Sequence, residues 1–222
     1  MEPFKIPTSL IAFNDSYPSA HRIVDAVHSG GATARVALIR LWLSEGIPFA
    51  FRECPAVYEA MRSWLSNWLD VHAKEICVTG SAKIGSSLAP YKLGDPFDKC
   101  SDLDLFIVSS TLFSSLKSEF IMWSDHYERE EEKPINSNEQ KYWRDNYKRG
   151  HNLLQRGFID QTMIPNRVSY QVTRKISQCM WNLVQRLRIT ARAPQPTKAS
   201  IRCYASWKSF VTQMDLNLQQ LA

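Results

Sequence analysis

The sequence predicts an α+β fold in which helices at both ends of the chain flank a small mixed β-sheet. Two short apolar runs rich in β-branched residues, 75–79 and 103–108, have the pattern of strands. The segments on either side repeat apolar residues every three or four positions, which is the pattern of amphipathic helices. With 222 residues, of which 44% are hydrophobic, the chain is long enough to bury a core without disulfides or metals.

The N-terminal segment, residues 1–74, is predicted to be helical and to pack on the sheet. The first helix covers residues 17–28 and stops at the glycine pair 30–31, and the second covers residues 32–45. A third helix is expected to begin near Pro55, because proline suits the first helical turn. Its apolar residues recur four apart, so we assign this helix to the core and not to a ligand site.

The middle segment, residues 75–165, is where the pattern changes from helices to strands. Its predicted strands cover residues 75–79, 103–108 and 157–164. One predicted helix begins at Ser81, and two others cover residues 111–127 and 138–150. The C-terminal segment, residues 166–222, is predicted to be a long helix over 167–188, a connector over 193–197, a short strand over 200–204 and a final helix to Leu221. We expect the three segments to form one compact unit.

Cysteine usage and hydropathy limit the kind of protein. The five cysteines are scattered without metal-ligand spacing, which is typical of reduced thiols in a cytoplasmic protein. The N-terminal sequence MEPFKIPTSLIAFND lacks the apolar core of a signal peptide, and nowhere do about 18 apolar residues follow one another. We therefore expect a cytoplasmic protein without a membrane partner.

Two carboxylates lie at the start of the second predicted strand, at Asp102 and Asp104. Because strand residues alternate between faces, both point to one face, and Leu103 and Leu105 point to the other. Two such carboxylates repel each other, and burying them unpaired is costly unless a divalent cation lies between them. Hard cations such as Mg²⁺ prefer carboxylate oxygens. An exposed strand edge produces the same pattern, so the pair alone does not establish a metal site.

Two further features point to a phosphate and metal site. Gly80 and Ser81 follow the first strand and precede a helix, where glycine lets the backbone approach a phosphate and a helix N-terminus offers free N–H groups. An ordinary strand-to-helix turn has the same sequence. Asp160 lies in the third predicted strand, where a charge is unexpected without a partner, although an edge strand exposes such a residue as well.

The order of these motifs resembles the nucleotidyltransferase superfamily with the DNA polymerase β-type palm. The family signature is an apolar residue, Gly, then Gly or Ser, a spacer, an Asp-apolar-Asp-apolar motif and a carboxylate on a later strand. The matching residues are Val78-Thr79-Gly80-Ser81, Ser101-Asp102-Leu103-Asp104-Leu105 and Ile159-Asp160. The resemblance covers about residues 75–165 and implies a palm in this segment, similar to small bacterial members of the family.

The resemblance implies transfer of a nucleoside monophosphate from a nucleoside triphosphate, with ATP as the expected donor, and release of pyrophosphate. The residues it places in the site are Asp102, Asp104 and Asp160 as catalytic residues and ligands of Mg²⁺ or Mn²⁺, and Gly80, Ser81 and Lys83 as phosphate contacts. For Lys83, a solvent-facing position on a helix is an equal alternative. The resemblance leaves three alternatives for the acceptor: an RNA or DNA end, a protein side chain, or another nucleotide.

The chain departs from the family pattern in one place. Twenty residues separate Ser81 from Asp102, which is longer than the usual spacer of about a dozen. The surplus lies in the stretch LAPYKLGDPFDKC, residues 88–100, which is a candidate contact for the nucleotide or the acceptor. We do not assign Asp95 and Asp98, which lie in this stretch, as metal ligands.

Net charge is distributed unevenly along the chain. Residues 1–140 hold 13 Lys and Arg against 19 Asp and Glu, a net −6, whereas residues 141–222 hold 14 against 3, a net +11. The basic C-terminal region favours RNA, tRNA or DNA as a partner of residues 167–208. A solvated helix face is also basic, and aromatic residues at helical spacing often belong to the core, so these alternatives stay open. The candidate contacts are Arg174, Lys175, Arg186, Arg188, Arg192, Tyr170, Trp181 and Trp207.

A second hypothesis is a palm that binds nucleotide or nucleic acid without catalysis and acts as an antitoxin or sensor through a protein partner. The three carboxylates favour the enzyme, because a binding module has no need of them. A third alternative is an unrelated α+β protein in which the Asp-x-Asp motif arose by chance. Family analogy also suggests a place in toxin–antitoxin or antiphage systems.

Overall fold

The computed structural model describes residues 8–11 and 16–221. Most of the N-terminal stretch MEPFKIPTSLIAFND, for which we expect no signal peptide, lies outside the described residues. The fold is α+β, with a four-stranded mixed sheet. The strands are β1 (Ile76–Thr79), β2 (Leu103–Val108), β3 (Phe158–Asp160) and β4 (Ala199–Tyr204). The α-helices are α1 (Thr8–Ile11), α2 (Ala20–Leu38), α3 (Pro55–Leu69), α4 (Ser81–Ile84), α5 (Ser110–Glu128), α6 (Ser137–Gln155), α7 (Gln171–Ile189) and α8 (Trp207–Gln219).

The last strand of the sequence lies inside the sheet. The strand order is β1-β2-β4-β3, with β2 antiparallel to β1 and parallel to β4, and with β3 antiparallel to β4. β4 is therefore a neighbour of the strand that carries the Asp-x-Asp motif and of the strand that carries Asp160. None of the described helices is long and apolar enough to cross a membrane.

The two faces of the sheet bury two separate apolar clusters, because side chains alternate along each strand. On one face, Leu103, Leu105 and Ile107 of β2 pack with residues of α3, α5, α6 and α7. On the other face, Phe106 and Val108 pack with residues of α2 and α8. The N-terminal, middle and C-terminal segments all contribute residues to both clusters.

The two helices predicted on either side of the glycine pair form one kinked element. α2 runs through Gly31, whose φ of 54° and ψ of −141° are not helical, and it continues into a π-helix over Ile39–Ser44. A left-handed φ suits glycine, which has no Cβ to clash with the preceding carbonyl group. The predicted interruption is present, but the chain keeps its helical course on both sides of it.

Two elements of the middle segment are shorter than predicted. The helix after Gly80 is the four-residue α4, which ends where Gly85 takes a left-handed conformation. The third strand ends at Asp160, where a 3-10 turn over Gln161–Met163 begins. Asp160 is consequently the last residue of its strand and not a residue in the middle of it.

α7 begins at Gln171, later than the predicted start at residue 167, because a side chain from another helix closes its first turn. Glu119 of α5 accepts hydrogen bonds from the N–H groups of Val172 and Thr173 at 2.7 and 2.9 Å, and from Thr173 Oγ1 at 2.8 Å. A carboxylate at this end of a helix satisfies free N–H groups and interacts favourably with the helix dipole. The residues involved are 53 and 54 positions apart, so local sequence patterns do not show the contact.

Candidate active site

A row of polar side chains crosses the sheet where β1 ends and β2 begins. The register pairs Thr79 with Asp104 and Asp104 with Ser200. Asp102 comes two residues before Asp104 and therefore belongs to the same face of the sheet. This is the face on which Phe106, further along β2, packs with α2 and α8. The polar row thus continues the surface that these two helices cover elsewhere.

Gly80 brings the backbone of the turn after β1 against Asp104. Its φ of 67° and ψ of −154° belong to a region that only glycine adopts readily. A Cβ at this position would lie 3.5 Å from Oδ2 of Asp104, so the missing side chain leaves a cradle beside the carboxylate. Ser81 begins α4, whose four residues form too short a helix for a strong dipole. An anion here would depend on individual N–H groups and on the Ser81 hydroxyl.

The structure places Lys83 away from this turn. Its side chain is only 2% exposed, and Nζ donates hydrogen bonds to the backbone carbonyl oxygens of Glu45 and Gly46, the latter at 3.1 Å. Burial lowers the pKa of the Lys83 amine to about 8. Lys83 therefore ties α4 to the end of the π-helix. This position is neither the phosphate contact nor the solvent-facing site that the sequence suggests.

Asp102 and Asp104 are each held by residues in or just before β4. Thr197 Oγ1 donates a hydrogen bond to Oδ1 of Asp102 at 2.6 Å, and Lys198 Nζ lies 3.2 Å from Oδ2 of the same residue. Ser200 Oγ donates to Oδ1 of Asp104 at 2.6 Å. The Lys198 side chain is 73% exposed, so water screens its ion pair with Asp102. Among the residues that the structure describes, no buried cationic side chain forms an ion pair with either carboxylate.

Asp160 is bound more firmly than the other two carboxylates. Nε and Nη2 of Arg202 in β4 donate hydrogen bonds to its two oxygens at 2.6 and 3.0 Å. Burial disfavours the charge of Arg202, but the hydrogen bonds and the charge of Asp160 outweigh this effect and raise the pKa of the guanidinium. Because β4 lies between β3 and β2, and strands are about 4.8 Å apart, Asp160 is about 10 Å from β2.

The partners of the three carboxylates all come from one short stretch that the sequence did not identify as part of the site. Lys198, Ser200 and Arg202 alternate with apolar residues, which is the pattern of a strand with one polar face. That pattern does not show which strand lies beside it. Ser200 and Asp104 are 96 residues apart, and only the parallel pairing of β4 with β2 brings them together.

Most of the predicted site residues line one cavity of about 870 Å³. Its polar wall includes Gly80, Ser81, Asp102, Asp104, Asp160, Ser200 and Arg202, whereas Lys83 does not line it. Its apolar wall includes Leu43, Leu88, Phe106, Phe210, Met214 and Leu218. One charged and one apolar wall suit a ligand with a charged end and a flat apolar end.

The long stretch between α4 and β2 forms an ordered loop that also lines the cavity. Ser86 and Pro96 pair as an isolated β-bridge, and the N–H of Ser87 donates to the carbonyl oxygen of Asp95 at 2.8 Å. Tyr91, in the outer part of the loop, is 84% exposed and lines the cavity. A ligand in the cavity would meet this loop, and its role in contacting nucleotide or acceptor stays a prediction.

The donor set suits a divalent cation at Asp102 and Asp104 better than a centre built from three carboxylates. Within residues 8–11 and 16–221, no three His, Cys, Asp or Glu side chains lie close enough together to hold a metal ion. Both oxygens of Asp160 are engaged by Arg202, so metal binding by Asp160 requires this ion pair to separate. A Mg²⁺ ion with two protein carboxylates completes its coordination with water and substrate phosphates.

The side chains predicted to contact nucleic acid in the basic C-terminal region are all exposed except that of Tyr170. Tyr170 is fully buried, whereas Trp207 is 46% exposed and also makes an edge contact with the ring of Phe106. Arg186 lies over a tryptophan ring of α3, 4.9 Å from its centroid. Trp181 of α7 is 61% exposed.

No protein-family model, curated protein sequence or solved structure significantly matches the chain. A functional assignment therefore depends on the motif residues and on the geometry of the cavity.

Proposed function

We propose that the protein is a Mg²⁺-dependent nucleotidyltransferase that transfers a nucleoside monophosphate, with ATP as the expected donor, to a hydroxyl acceptor. The supporting observation is the Gly80 turn, whose backbone lies against Asp104 in the cavity that Asp102 also lines. This arrangement allows a phosphate tail and a cation to be held side by side.

Each wall of the cavity has a role in this proposal. Asp102 and Asp104 would hold Mg²⁺, which would supply positive charge to neutralise the charge that develops on the phosphates. The turn at Gly80 and Ser81 donates hydrogen bonds to the phosphates. The apolar wall accepts the nucleobase, with the partly exposed Leu88 as its contact.

The reaction is a substitution at the α-phosphorus of the nucleotide. The acceptor oxygen bonds to this phosphorus, the bond to the oxygen that bridges to the β-phosphate breaks, and pyrophosphate leaves. The acceptor proton passes to Asp160 or to water, and Asp160 takes it only after Arg202 has released the carboxylate. The acceptor is an RNA or DNA end, a protein side chain or a nucleotide, and a role in toxin–antitoxin or antiphage systems follows from family analogy alone.

Transfer of label from nucleoside triphosphates labelled at the α-phosphate tests the proposal. The intact protein is incubated with Mg²⁺ and each triphosphate, alone, with tRNA and with a single-stranded DNA. We expect labelled product with at least one combination, and a loss of about 100-fold or more in the Asp102→Asn/Asp104→Asn variant, because the cation then loses both protein ligands.

Asp125→Asn is the matched control for this experiment. Asp125 is an exposed carboxylate of α5 that does not line the cavity and belongs to no predicted motif. The control should transfer label as the wild type does. Equal transfer by the wild type and the Asp102→Asn/Asp104→Asn variant contradicts the proposal, as does transfer that survives removal of Mg²⁺ with EDTA.

The ion pairs of the site support a second candidate, a palm that binds nucleotide without turnover. Lys198 and Arg202 bring positive charge to Asp102 and Asp160 without a metal ion. For this candidate, ATP raises the melting temperature while pyrophosphate is not released with any acceptor. Measuring the melting temperature and pyrophosphate release in the same samples separates the two functions.

A further inference from the structure

The outer face of α7 carries a line of polar and basic side chains with a tryptophan at its centre. The line, which we name the α7 stripe, consists of Arg174, Gln178, Trp181, Gln185 and Arg188, and all except the partly buried Gln185 are exposed. These positions are three and four residues apart, which places them on one side of the helix. At 1.5 Å per residue, the stripe is about 21 Å long. The other side of α7 is buried in the core.

No carboxylate neutralises the α7 stripe. Residues 161–214 contain nine Lys and Arg but neither Asp nor Glu. Among the residues that the structure describes, Arg174, Lys175 and Arg188 form no ion pair with a carboxylate, and Arg188 donates only a 3.5 Å hydrogen bond to Gln185. The charges of the stripe are therefore available to an external anion.

A groove of about 780 Å³ lies beside the N-terminal half of the stripe. Arg174, Gln178 and Trp181 line it from α7, and Asn166 and Val168 line it from the preceding loop. Trp181 is 61% exposed and stacks on no other ring in the described part of the chain. An exposed aromatic side chain between cations and amides, beside a groove, is an arrangement suited to stacking with a flat anionic ligand.

We propose that the α7 stripe binds single-stranded nucleic acid, with a base stacked on Trp181 and phosphates bound by Arg174 and Arg188. At about 3.4 Å per nucleotide, the stripe accommodates about six stacked nucleotides. The charge favours a polyanion, and the side chains next to Trp181 on the stripe are the amides of Gln178 and Gln185. An acidic protein partner fits less well, because a protein interface is centred on contiguous apolar side chains that the stripe lacks.

The α7 stripe and the candidate active site lie on opposite sides of the sheet. α7 packs on the face of Leu103 and Leu105, whereas Asp104 belongs to the other face. The stripe therefore anchors a nucleic acid and does not itself bring a strand end to the cavity. The proposal consequently does not depend on nucleotidyl transfer.

Fluorescence anisotropy of a fluorescein-labelled oligouridylate of about 15 nucleotides, titrated with the intact protein, tests the inference. We expect Trp181→Ala to weaken binding about ten-fold or more through loss of stacking. We expect Arg174→Gln/Arg188→Gln to weaken binding as well and to reduce the slope of log affinity against log salt by about 1.4, because each lost phosphate contact changes the slope by about 0.7.

The chain offers a matched control on α6, where an exposed lysine stands next to an exposed tyrosine. Lys141→Gln/Tyr142→Ala removes one cation and one aromatic ring, with Tyr142 67% exposed, and should bind the oligonucleotide as the wild type does. The Asp102→Asn/Asp104→Asn variant should also bind normally, whatever its activity, which separates this inference from the proposed function.

Three results would overturn the inference. The first is no binding at low salt, and the second is unchanged affinity in the Trp181→Ala variant. The third is displacement of the oligonucleotide by polyglutamate of equal charge as efficiently as by unlabelled oligonucleotide, which would assign the stripe to an acidic protein.

Discussion

Lys83 shows how much the environment of one residue can differ from the environment that its sequence neighbours suggest. It follows the Gly80-Ser81 turn by two residues, yet its amine reaches the carbonyl oxygens at the end of the π-helix. Burial disfavours its charge, so the pKa falls from 10.5 to about 8. The unfolded chain therefore binds more protons than the folded chain between these two pH values.

This difference predicts a pH-dependent stability. Between about pH 8 and 10.5, the Lys83 contribution to the free energy of unfolding should rise with pH, by up to about 3 kcal/mol in total. Below pH 8 the amine is charged in both states and the contribution is constant. Urea denaturation of the wild type and of Lys83→Met at several pH values measures it, because the stability difference between the two proteins isolates Lys83.

Lys141→Met is the control, since it removes an exposed lysine of α6 in place of a buried one. If the stability difference between the wild type and Lys83→Met stays constant from pH 7 to 11, burial does not lower the pKa of Lys83.

At the residue scale, local patterns predicted that Gly80, Asp102 and Asp104 lie together, but they did not predict the distant residues that hold the carboxylates. Gly80, Asp102 and Asp104 share one cavity because the two antiparallel strands that carry them are paired. The Arg202 partner of Asp160 lies 42 residues away and could not be found from spacing.

At the scale of elements, the crossing of α5 and α6 depends on a glycine that the sequence suggests as a helix end. A Cβ on Gly150 would lie 2.1 Å from Cζ of Phe120 and 2.5 Å from Cε2. Phe120 is fully buried, so its ring cannot move aside. Glycine often follows the last turn of a helix, but here it permits close packing, and α6 continues to Gln155.

Gly150→Ala should lower the free energy of unfolding by about 1 to 3 kcal/mol through overpacking. This loss is expected even though alanine favours a helix interior over glycine by about 1 kcal/mol. Urea denaturation measures the effect. Adding Phe120→Leu should restore part of the stability, because the two side chains then no longer compete for the same space. A Gly150→Ala protein as stable as the wild type would contradict the close approach of the two helices.

Elements with a strong local signal were predicted well, and elements limited by distant contacts were not. The start of α3 at Pro55 and the start of α5 near residue 111 depend on local sequence, and both predictions agree with the structure within one residue. The start of α7 depends instead on Glu119, and the end of β3 on the turn that follows Asp160. Tertiary contacts decided these boundaries.

At the scale of the whole molecule, the sheet joins two apolar clusters that would otherwise be independent. Leu183 belongs to the cluster on one face and Phe210 to the cluster on the other, and both are almost completely buried. Phe210 stacks on Phe106 of β2 at a centroid distance of 4.2 Å, and the next residue of β2, Ile107, faces the opposite cluster. Loss of one cluster therefore exposes the strands on which the other depends.

We expect the chain to unfold in a single cooperative transition for this reason. Leu183→Ala and Phe210→Ala should each lower stability by about 2 to 5 kcal/mol and shift the same transition. Far-UV circular dichroism and tryptophan fluorescence in urea should give coincident curves for both variants. Two separate transitions in either variant would mean that the clusters belong to independently folding units.

The class of the fold was readable from the sequence, but its strand order was not. Alternating and apolar runs reveal that strands exist, since they depend on neighbouring residues. The insertion of β4 between β2 and β3 depends on packing between segments nearly 100 residues apart. A mixed sheet with the strands in another order is compatible with the same local patterns.

The central position of β4 also sets the order in which the protein can assemble as it is synthesised. In the described sheet, β3 pairs with β4 alone. Thr197, just before β4, contacts Asp102 and lies 95 residues after it. At about 5 to 20 residues per second, a ribosome needs about 5 to 20 s to add these residues. Until β4 is added, β2 has one open edge, and β3 is unpaired from the time it is synthesised. A chain stopped before β4 therefore lacks a complete cavity, so the proposed activity requires that β4 has been synthesised.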